Sequence, residues 1–496
     1  MKSVSFERMS EELGFETGGA GKTAVVTGIT SDSRRVSAGD VFVAIKGAAS
    51  DGHTHAPEAV SKGAVAVIGQ RRIDGLSVPY AVTGNSKEAA ARAAAFFYGR
   101  PSSAFTLAGV TGTNGKTTVC HLLKAIWERA GVCGNIGTVE IECGSLRRDA
   151  EMTTPGAADL QELFSLMRGE GAERVCMEVS SHAISEKRAD ACDFDAAVFT
   201  NLTPEHLDYH KNIGQYADTK KKLFTELLAA SGKEKKFSVV NIDDPVGVEI
   251  ADMAAGEVVT YSSEDASADV FAQQVSASAP GMAVSIRAPW GNAEVNSNLM
   301  GGHNLSNILA ATAAALCLGS APDEVAAALS APVFVPGRME RIGGLSAAID
   351  VFVDYAHTAD ALDRVIRAAR PLCRGKMFVV FGCGGDRDRD KRPEMGRVAS
   401  ENSDVVVLTS DNPRSEDPVE ILSDIEAGTV RGKCPVLKIA DRKEAIRHAV
   451  MSATAGDFVL IAGKGHETYQ AVMGENLPFD DRVVAADFLK LRGDAD

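Results

Sequence analysis

Residues 109–118 read G-V-T-G-T-N-G-K-T-T. The apolar run FTLAGV precedes them and the helical stretch VCHLLKAIWERA follows. Strand, glycine-rich loop and helix in that order are what a phosphate-binding loop requires. Successive backbone N–H groups and the helix N-terminus would cradle phosphate oxygens. Lys116 would reach the outer phosphates, and the Thr117 hydroxyl would ligate Mg²⁺. Gly112, Thr113, Asn114, Gly115, Lys116, Thr117 and Thr118 are thus the candidate nucleotide-binding set. The strict G-x-x-x-x-G-K spacing fails by one residue, because Val110 stands where its first glycine belongs.

ATP chemistry needs Mg²⁺, which prefers oxygen ligands. Glu178, after the apolar VCM, could supply one, although a lone Glu at a strand end is more often a solvated rim charge. Lys220 stands out by pattern. Ile213, Tyr216, Leu223, Phe224, Leu227 and Leu228 form an apolar stripe at helical spacing. Lys220 lies on that stripe, Lys221 at its edge and Lys222 off it. An ammonium there is costly unless paired or modified; the alternative is a lysine whose stem is covered and whose charge snorkels to water.

The elements around these residues are α/β in pattern. Short Val- and Ile-rich runs alternate with Ala-rich helical stretches. Three blocks separate at 1–102, 103–337 and 338–496. The first holds VFVAI and AVAVIG and ends in an Ala-rich helix before GRPSS. The second carries FTLAGV, VCMEVS, AAVFTN and FSVVNIDD, which read as buried parallel strands. The third carries AIDVFVDYA, MFVVFGCGG, DVVVLTS and DFVLIAGKG, each an apolar strand running into a polar loop. Ligands of open α/β sheets collect beyond the carboxyl ends of strands, so chemistry is expected in those loops.

The 496 residues are too many for one ordinary domain. A net charge of -15 argues against nucleic-acid and anionic-membrane partners, since both would repel it. The nine cysteines form no C-x-x-C pair and are odd in number, so they read as reduced thiols and not as a zinc site or disulfide framework. The opening MKSVSFERMSEELG has no apolar signal-peptide core, and no apolar run nears the roughly 18 residues of a membrane span. A cytoplasmic monomer without membrane insertion is expected.

TGTNGKTT resembles the ATP loop of the Mur ligase superfamily, which also includes folylpolyglutamate synthetases. Further matches run almost the whole chain: SDSRRVSAGDVFVAIKG, TTPGAADLQ, MEVSSHAISEKR, FTNLTPEHLDYH, GGHNLSNILAA, VPGRMER, VDYAHTADAL, FGCGGDRDRDKRP, SDNPR and AGKGHETYQ. Together they look like the branch of the family that adds the third residue of the peptidoglycan stem. The resemblance implies three domains: an N-terminal UDP-binding α/β domain, a central P-loop ATPase domain with a mostly parallel sheet, and a C-terminal Rossmann-like domain.

The resemblance also implies roles. Glu178 and His206 match metal-site residues; His210 has no match and reads as a surface or capping residue. Lys220 falls on the lysine that Mur ligases carbamylate, which would make it an oxygen ligand (N6-carboxylysine) for a second Mg²⁺. Lys116, Glu178, His206 and Lys220 are accordingly the expected catalytic set. Ser33 matches a uridine-nucleotide contact. Thr153, Thr154, Ser180 and Arg188 match contacts to the UDP-N-acetylmuramoyl-L-alanyl-D-glutamate substrate. Glu186 departs from the pattern, standing where some relatives have a substrate-contacting glutamine. It would repel an anionic substrate unless Lys187 or Arg188 neutralised it. Asn304, Arg338 and Asp354 resemble nucleotide contacts.

Asp411, Asn412, Pro413 and Arg414 form the D-N-P-R that family members using meso-diaminopimelate carry. Diaminopimelate ends in a carboxylate that lysine lacks, and a planar guanidinium can grip it with two parallel hydrogen bonds. Arg387, Gly463 and Glu467 match the remaining contacts, with Glu467 facing the distal ammonium. The implied reaction runs through an acyl phosphate that the incoming amine captures. The alternatives are the same ligase adding L-lysine, a folate polyglutamylating enzyme, and a P-loop switch or scaffold that drives a partner.

Overall fold

The computed structural model describes residues 3–18, 24–47, 50–205, 207–278, 281–344 and 347–493. Its architecture is α/β throughout, as expected, and rests on three main sheets. In the first, Glu16–Gly18 runs antiparallel to Tyr80–Val82, followed by Ala66–Gly69, Asp40–Val43 and Gly28–Thr30 in parallel. The third orders Glu340–Ile342, Asp350–Asp354, Phe458–Ala462, Met377–Phe381, Val405–Leu408 and Val436–Lys438, antiparallel only at its first pair.

The middle sheet has eleven strands. Thr106–Thr111 lies inside it, between Arg174–Glu178 and Ala196–Phe199, both parallel to it. The phosphate-type loop and Glu178 therefore leave neighbouring strands at the same sheet edge. These strands are apolar on both faces because helices cover both sides. One covering helix, Lys116–Trp127, buries Val119, Cys120, Leu122, Leu123, Ile126 and Trp127. A second, Gly302–Cys317, is buried nearly all round, and its alanine-rich sequence lets the first pack closely against it.

The stripe of residues 213–228 forms as a helix, Ile213–Lys222, that continues into a π-turn, Leu223–Leu227. Tyr216, Lys220, Leu223, Phe224 and Leu228 are buried, Lys221 is intermediate and Lys222 exposed. Ile213 departs from the expectation: at the first turn it projects past the core and is 41% exposed. The wider π-turn lets two successive residues, Leu223 and Phe224, both face inward. All nine cysteines are free thiols.

Between the middle and third sheets the chain passes through Gly337, at φ +65°. A Cβ there would stand 2.2 Å from the backbone nitrogen of His466. Only glycine permits that approach.

Candidate active site

The phosphate-type loop is built from its backbone. Gly112 has φ +145° and Gly115 φ +91°. A Cβ would fall 1.8 Å from Thr200 Oγ1 at Gly112, and 2.3 Å from Asn307 Oδ1 at Gly115. The loop is pinned to the next strand's exit: Thr113 N donates to Asn201 O at 2.8 Å and Asn114 N to Asn201 Oδ1 at 3.0 Å. Thr118 is buried at the start of the helix.

Two lysines meet on this loop. Lys116 Nζ donates to the carbonyls of Gly112 (3.0 Å) and Thr113 (2.8 Å). Lys220 Nζ reaches the same Gly112 carbonyl at 2.7 Å and lies 4.4 Å from the centroid of the Tyr216 ring. Burial, reinforced by the neighbouring Lys116, pushes the Lys220 ammonium well below its usual range. Burial lowers Lys116 as well, against the opposing pull of Glu178 and Glu205. Lys220 is thus a buried amine and not a snorkelling surface lysine.

Thr117 Oγ1 donates to Glu178 Oε1 at 2.9 Å. Glu178 is 1% exposed, so it is no rim charge. Thr138, which the sequence reading passed over, donates its N–H to Oε1 (2.8 Å) and its hydroxyl to Oε2 (3.1 Å). A buried carboxylate beside a hydroxyl is a donor pair that fits Mg²⁺. Among the described residues no group of three or more His, Cys, Asp or Glu could hold a metal; His206 lies outside the described residues. His210 corrects the expectation of a surface or capping role. It is 4% exposed, its Nε2 lies 2.9 Å from Ser181 Oγ, and its ring packs with those of His182, Tyr209 and Tyr216.

Thr153, Thr154, Ser180 and Arg188 gather beside Glu178. Thr153 Oγ1 lies 3.1 Å from Thr138 Oγ1, which accepts there because its proton goes to Glu178, and Thr154 Oγ1 donates to the Glu178 carbonyl at 2.8 Å. Ser180 N donates to Thr154 Oγ1 at 3.1 Å, while its hydroxyl caps a short helix by accepting from Ala183 N. Arg188 Nη1 donates to Thr154 O at 3.2 Å. Glu186 is neutralised chiefly by a residue the sequence did not suggest, with Arg188 adding a weaker pull. Its partner is Lys87 of the helix Ser86–Tyr98, at 2.6 Å, with the Tyr209 hydroxyl donating at 2.9 Å. Lys187 pairs with Asp190 instead. Burial opposes ionisation of Glu186, yet these bonds hold its carboxyl below the usual value. Ser33 stays apart from this cluster, on a loop of the first sheet. Arg35 ties that loop to Asp159 of the middle block at 3.0 Å.

A cavity of about 910 Å³ opens between the loop and the third sheet. Asn304, Arg338 and Asp354 line it, as do Arg364, Arg367 and His357, which the sequence reading missed. Arg338 Nη2 donates to Thr117 Oγ1 at 3.4 Å and lies over the Tyr355 ring. Asn304 donates to Met300 O. Both Asp354 oxygens accept backbone N–H groups, from Met339 (2.7 Å) and Ala356 (2.8 Å). Burial raises its pKa, against Arg338 and those N–H groups. His357 Nε2 meets Glu205 Oε1 across the cleft at 3.1 Å.

The third sheet's strand ends gather Arg387, Asp411–Asn412–Pro413–Arg414, Gly463 and Glu467. Asp411 and Asn412 are buried. Asn412 Nδ2 donates to Glu467 Oε2 at 2.8 Å. Lys464, fully buried and missed in the sequence reading, donates to that same oxygen at 2.8 Å and to Asn412 Oδ1 at 3.1 Å. Gly463 N donates to Asp354 O, so the loop leaves beside the cavity. Arg414 Nη1 donates to Gly385 O at 2.7 Å, and Arg387 is exposed.

A phosphate-type loop sharing one cavity with Arg338, Arg364 and Arg367 suits a polyanionic nucleotide, and the comparisons give the family. Residues 25–98 match the Mur ligase family catalytic domain, 110–315 the Mur ligase middle domain and 337–465 the Mur ligase glutamate ligase domain. UDP-N-acetylmuramoyl-L-alanyl-D-glutamate--2,6-diaminopimelate ligase of Geobacillus kaustophilus is 45% identical over 470 residues, covering 94% of this chain and 96% of that protein. A solved structure of a protein of that name is 32% identical, with a TM-score of 0.70 and 99% of each chain covered. A MurF ligase from Thermotoga maritima, solved in complex with ADP, shares the fold at 20% identity, with a TM-score of 0.60 over 94% of this chain and 96% of that one. The chain belongs to the Mur ligase family. Among the described residues no helix is long and apolar enough to cross a membrane.

Proposed function

We propose that this chain joins meso-2,6-diaminopimelate to UDP-N-acetylmuramoyl-L-alanyl-D-glutamate, using ATP and releasing ADP and phosphate. The observation that carries the reading is the D-N-P-R tetrad beside Glu467, at strand ends of the same sheet whose Asp354 lines the cavity shared with the phosphate-type loop. The three blocks 1–102, 103–337 and 338–496 would hold the uridine nucleotide, ATP and the added amino acid respectively. The setting is a cytoplasmic, monomeric enzyme.

In this reading the D-glutamyl γ-carboxylate takes the γ-phosphoryl group of ATP, becoming an acyl phosphate. The amine of diaminopimelate attacks that carbonyl, and phosphate leaves from the tetrahedral intermediate. Lys116 and Arg338 neutralise the crowded negative charge. Thr153, Thr154, Ser180 and Arg188 orient the carboxylate, while Ser33 holds the uridine end. Asn304 and Asp354 flank the nucleotide. Thr117, Glu178 and His206 would hold Mg²⁺, which when bound supplies further charge neutralisation on the phosphates. Lys220 is proposed to carry a carbamate. A deprotonated amine is the form that adds CO₂, and burial beside Lys116 favours that form. Arg414 and Arg387 grip the distal carboxylate of diaminopimelate. Glu467 faces its ammonium and shares that charge with Lys464.

Purified protein, ATP, Mg²⁺ and the nucleotide precursor should release phosphate and form the amide with diaminopimelate, far faster than with L-lysine. Faster turnover with lysine would replace the amino acid in this reading. Phosphate release without any amide product would overturn it.

A further inference from the structure

We propose that Glu416 is a specificity-determining positioning residue, clamping together the two loops that present Arg387 and Arg414. The proposal rests on the functional reading above and deepens it. The loops come from different strand ends, Met377–Phe381 and Val405–Leu408. They touch backbone to backbone: Gly385 N donates to Asn412 O at 2.9 Å, and a Cβ on Gly385 would stand 1.9 Å from Pro413 O. Each loop also holds a non-glycine residue in the left-handed region, Asp386 at φ +52° and Arg414 at φ +53°. That conformation is uncommon without glycine and persists where the surroundings over-determine it.

Glu416 is the centre of what over-determines it. Its carboxylate takes the N–H of Asp386 at 2.6 Å. Arg392 grips it with two parallel bonds, Nη1 to Oε2 at 3.0 Å and Nη2 to Oε1 at 2.9 Å. The Arg392 side chain is fully buried and also donates to Asp424 at 2.9 Å. Arg389 adds a third cationic contact from the exposed side. Asp386 returns the link: its carboxylate accepts from Ser415 N at 3.1 Å and from the Ser415 hydroxyl at 2.8 Å. One carboxylate therefore fixes the residue before Arg387 and lies two residues after Arg414. A bidentate arginine site discriminates only while its guanidinium stays aimed at the extra carboxylate. Small misplacements of such groups cost large factors in rate and binding.

The test is steady-state kinetics of the full chain: wild type, Glu416→Ala, Glu416→Gln and Asp424→Asn. Glu416→Ala should raise KM for diaminopimelate about tenfold or more and shrink the preference over lysine by a similar factor. KM for ATP and for the nucleotide precursor should stay within about twofold, because neither binds these loops. Glu416→Gln keeps the shape and loses the charge, so it should fall between; it decides alone if the alanine variant does not fold. Asp424→Asn removes the charge of Arg392's other carboxylate partner without touching either loop. It should lower the melting temperature and leave KM for diaminopimelate unchanged. Equal rises in all three KM values, an unmoved diaminopimelate KM, or the same loss in Asp424→Asn would each overturn the clamp. If wild type uses lysine in place of diaminopimelate, the functional reading fails. The clamp is then judged on KM for lysine against KM for ATP in the same variants.

Discussion

The phosphate-type loop and the Arg387–Arg414 pocket proposed for the added amino acid are held in shape by opposite means. The loop is local: eight consecutive residues, two glycines at positive φ, and the start of one helix. The pocket is assembled from strand ends far apart in sequence, and side-chain charges keep it in shape. Arg392, Glu416, Asp386, Asn412 and Lys464 all serve to aim other residues. Backbone donors cost no side-chain ordering and tolerate few substitutions. Charge networks can be retuned, which suits a region proposed to choose among amino acids.

The contrast can be broken first at Lys116. Lys116→Met should cut phosphate release on the order of a thousandfold, since a charge aimed at the transferring group is lost. Its melting temperature should hold or rise, because the two buried lysine side chains crowded on the Gly112 carbonyl become one. A large drop in stability would show that Lys116 is structural. Arg414→Ala comes next. KM for diaminopimelate should rise on the order of a hundredfold and the rejection of lysine should vanish, with KM for ATP unmoved. Isothermal titration with each amino acid checks this independently of turnover.

Gly115→Ala sharpens the other side. The positive φ and the contact with Asn307 predict a loss of roughly 1–3 kcal/mol in chemical denaturation, together with weaker nucleotide binding. No loss would mean that the loop bends more freely than its backbone suggests. The smallest effect is acid sensitivity of the pocket. Hydrogen bonds from Arg392 and Arg389 hold the Glu416 carboxyl down to about 2, against an ordinary 4.5. A depressed carboxyl contributes its full stabilisation above the unfolded value and loses it as pH falls through the folded one. The melting temperature of wild type should therefore fall from about pH 4.5 toward 2 by more than that of Glu416→Gln. Parallel curves would remove Glu416 from the account.

What the sequence disclosed follows the same division. The loop and Lys220 on its stripe were legible, because short spacing and helical period encode them, whereas Glu178 stood out only through the family resemblance. The stripe even ordered Lys220, Lys221 and Lys222 from buried to exposed. The partners were not legible. Thr138 meets Glu178, Lys87 meets Glu186 and Glu205 meets His357 across long stretches of chain, and no local pattern marks such pairs. Lys464 stood inside the quoted AGKGHE. A lysine three residues from a glutamate looks like a solvated surface pair, and only the fold reveals that it is buried. His210 was misread for the converse reason: its ring is covered by aromatic neighbours that the segment alone does not bring together. Arg364 and Arg367 carried a faint signal, one helical turn apart just beyond a strand end.

Gly337 has a practical corollary. Its missing side chain leaves no gap for even a methyl group against the backbone of the 465–466 turn. Any larger residue would force that turn away from the segment that joins the middle and third sheets, so side-chain size at this one position sets how closely that junction can seat.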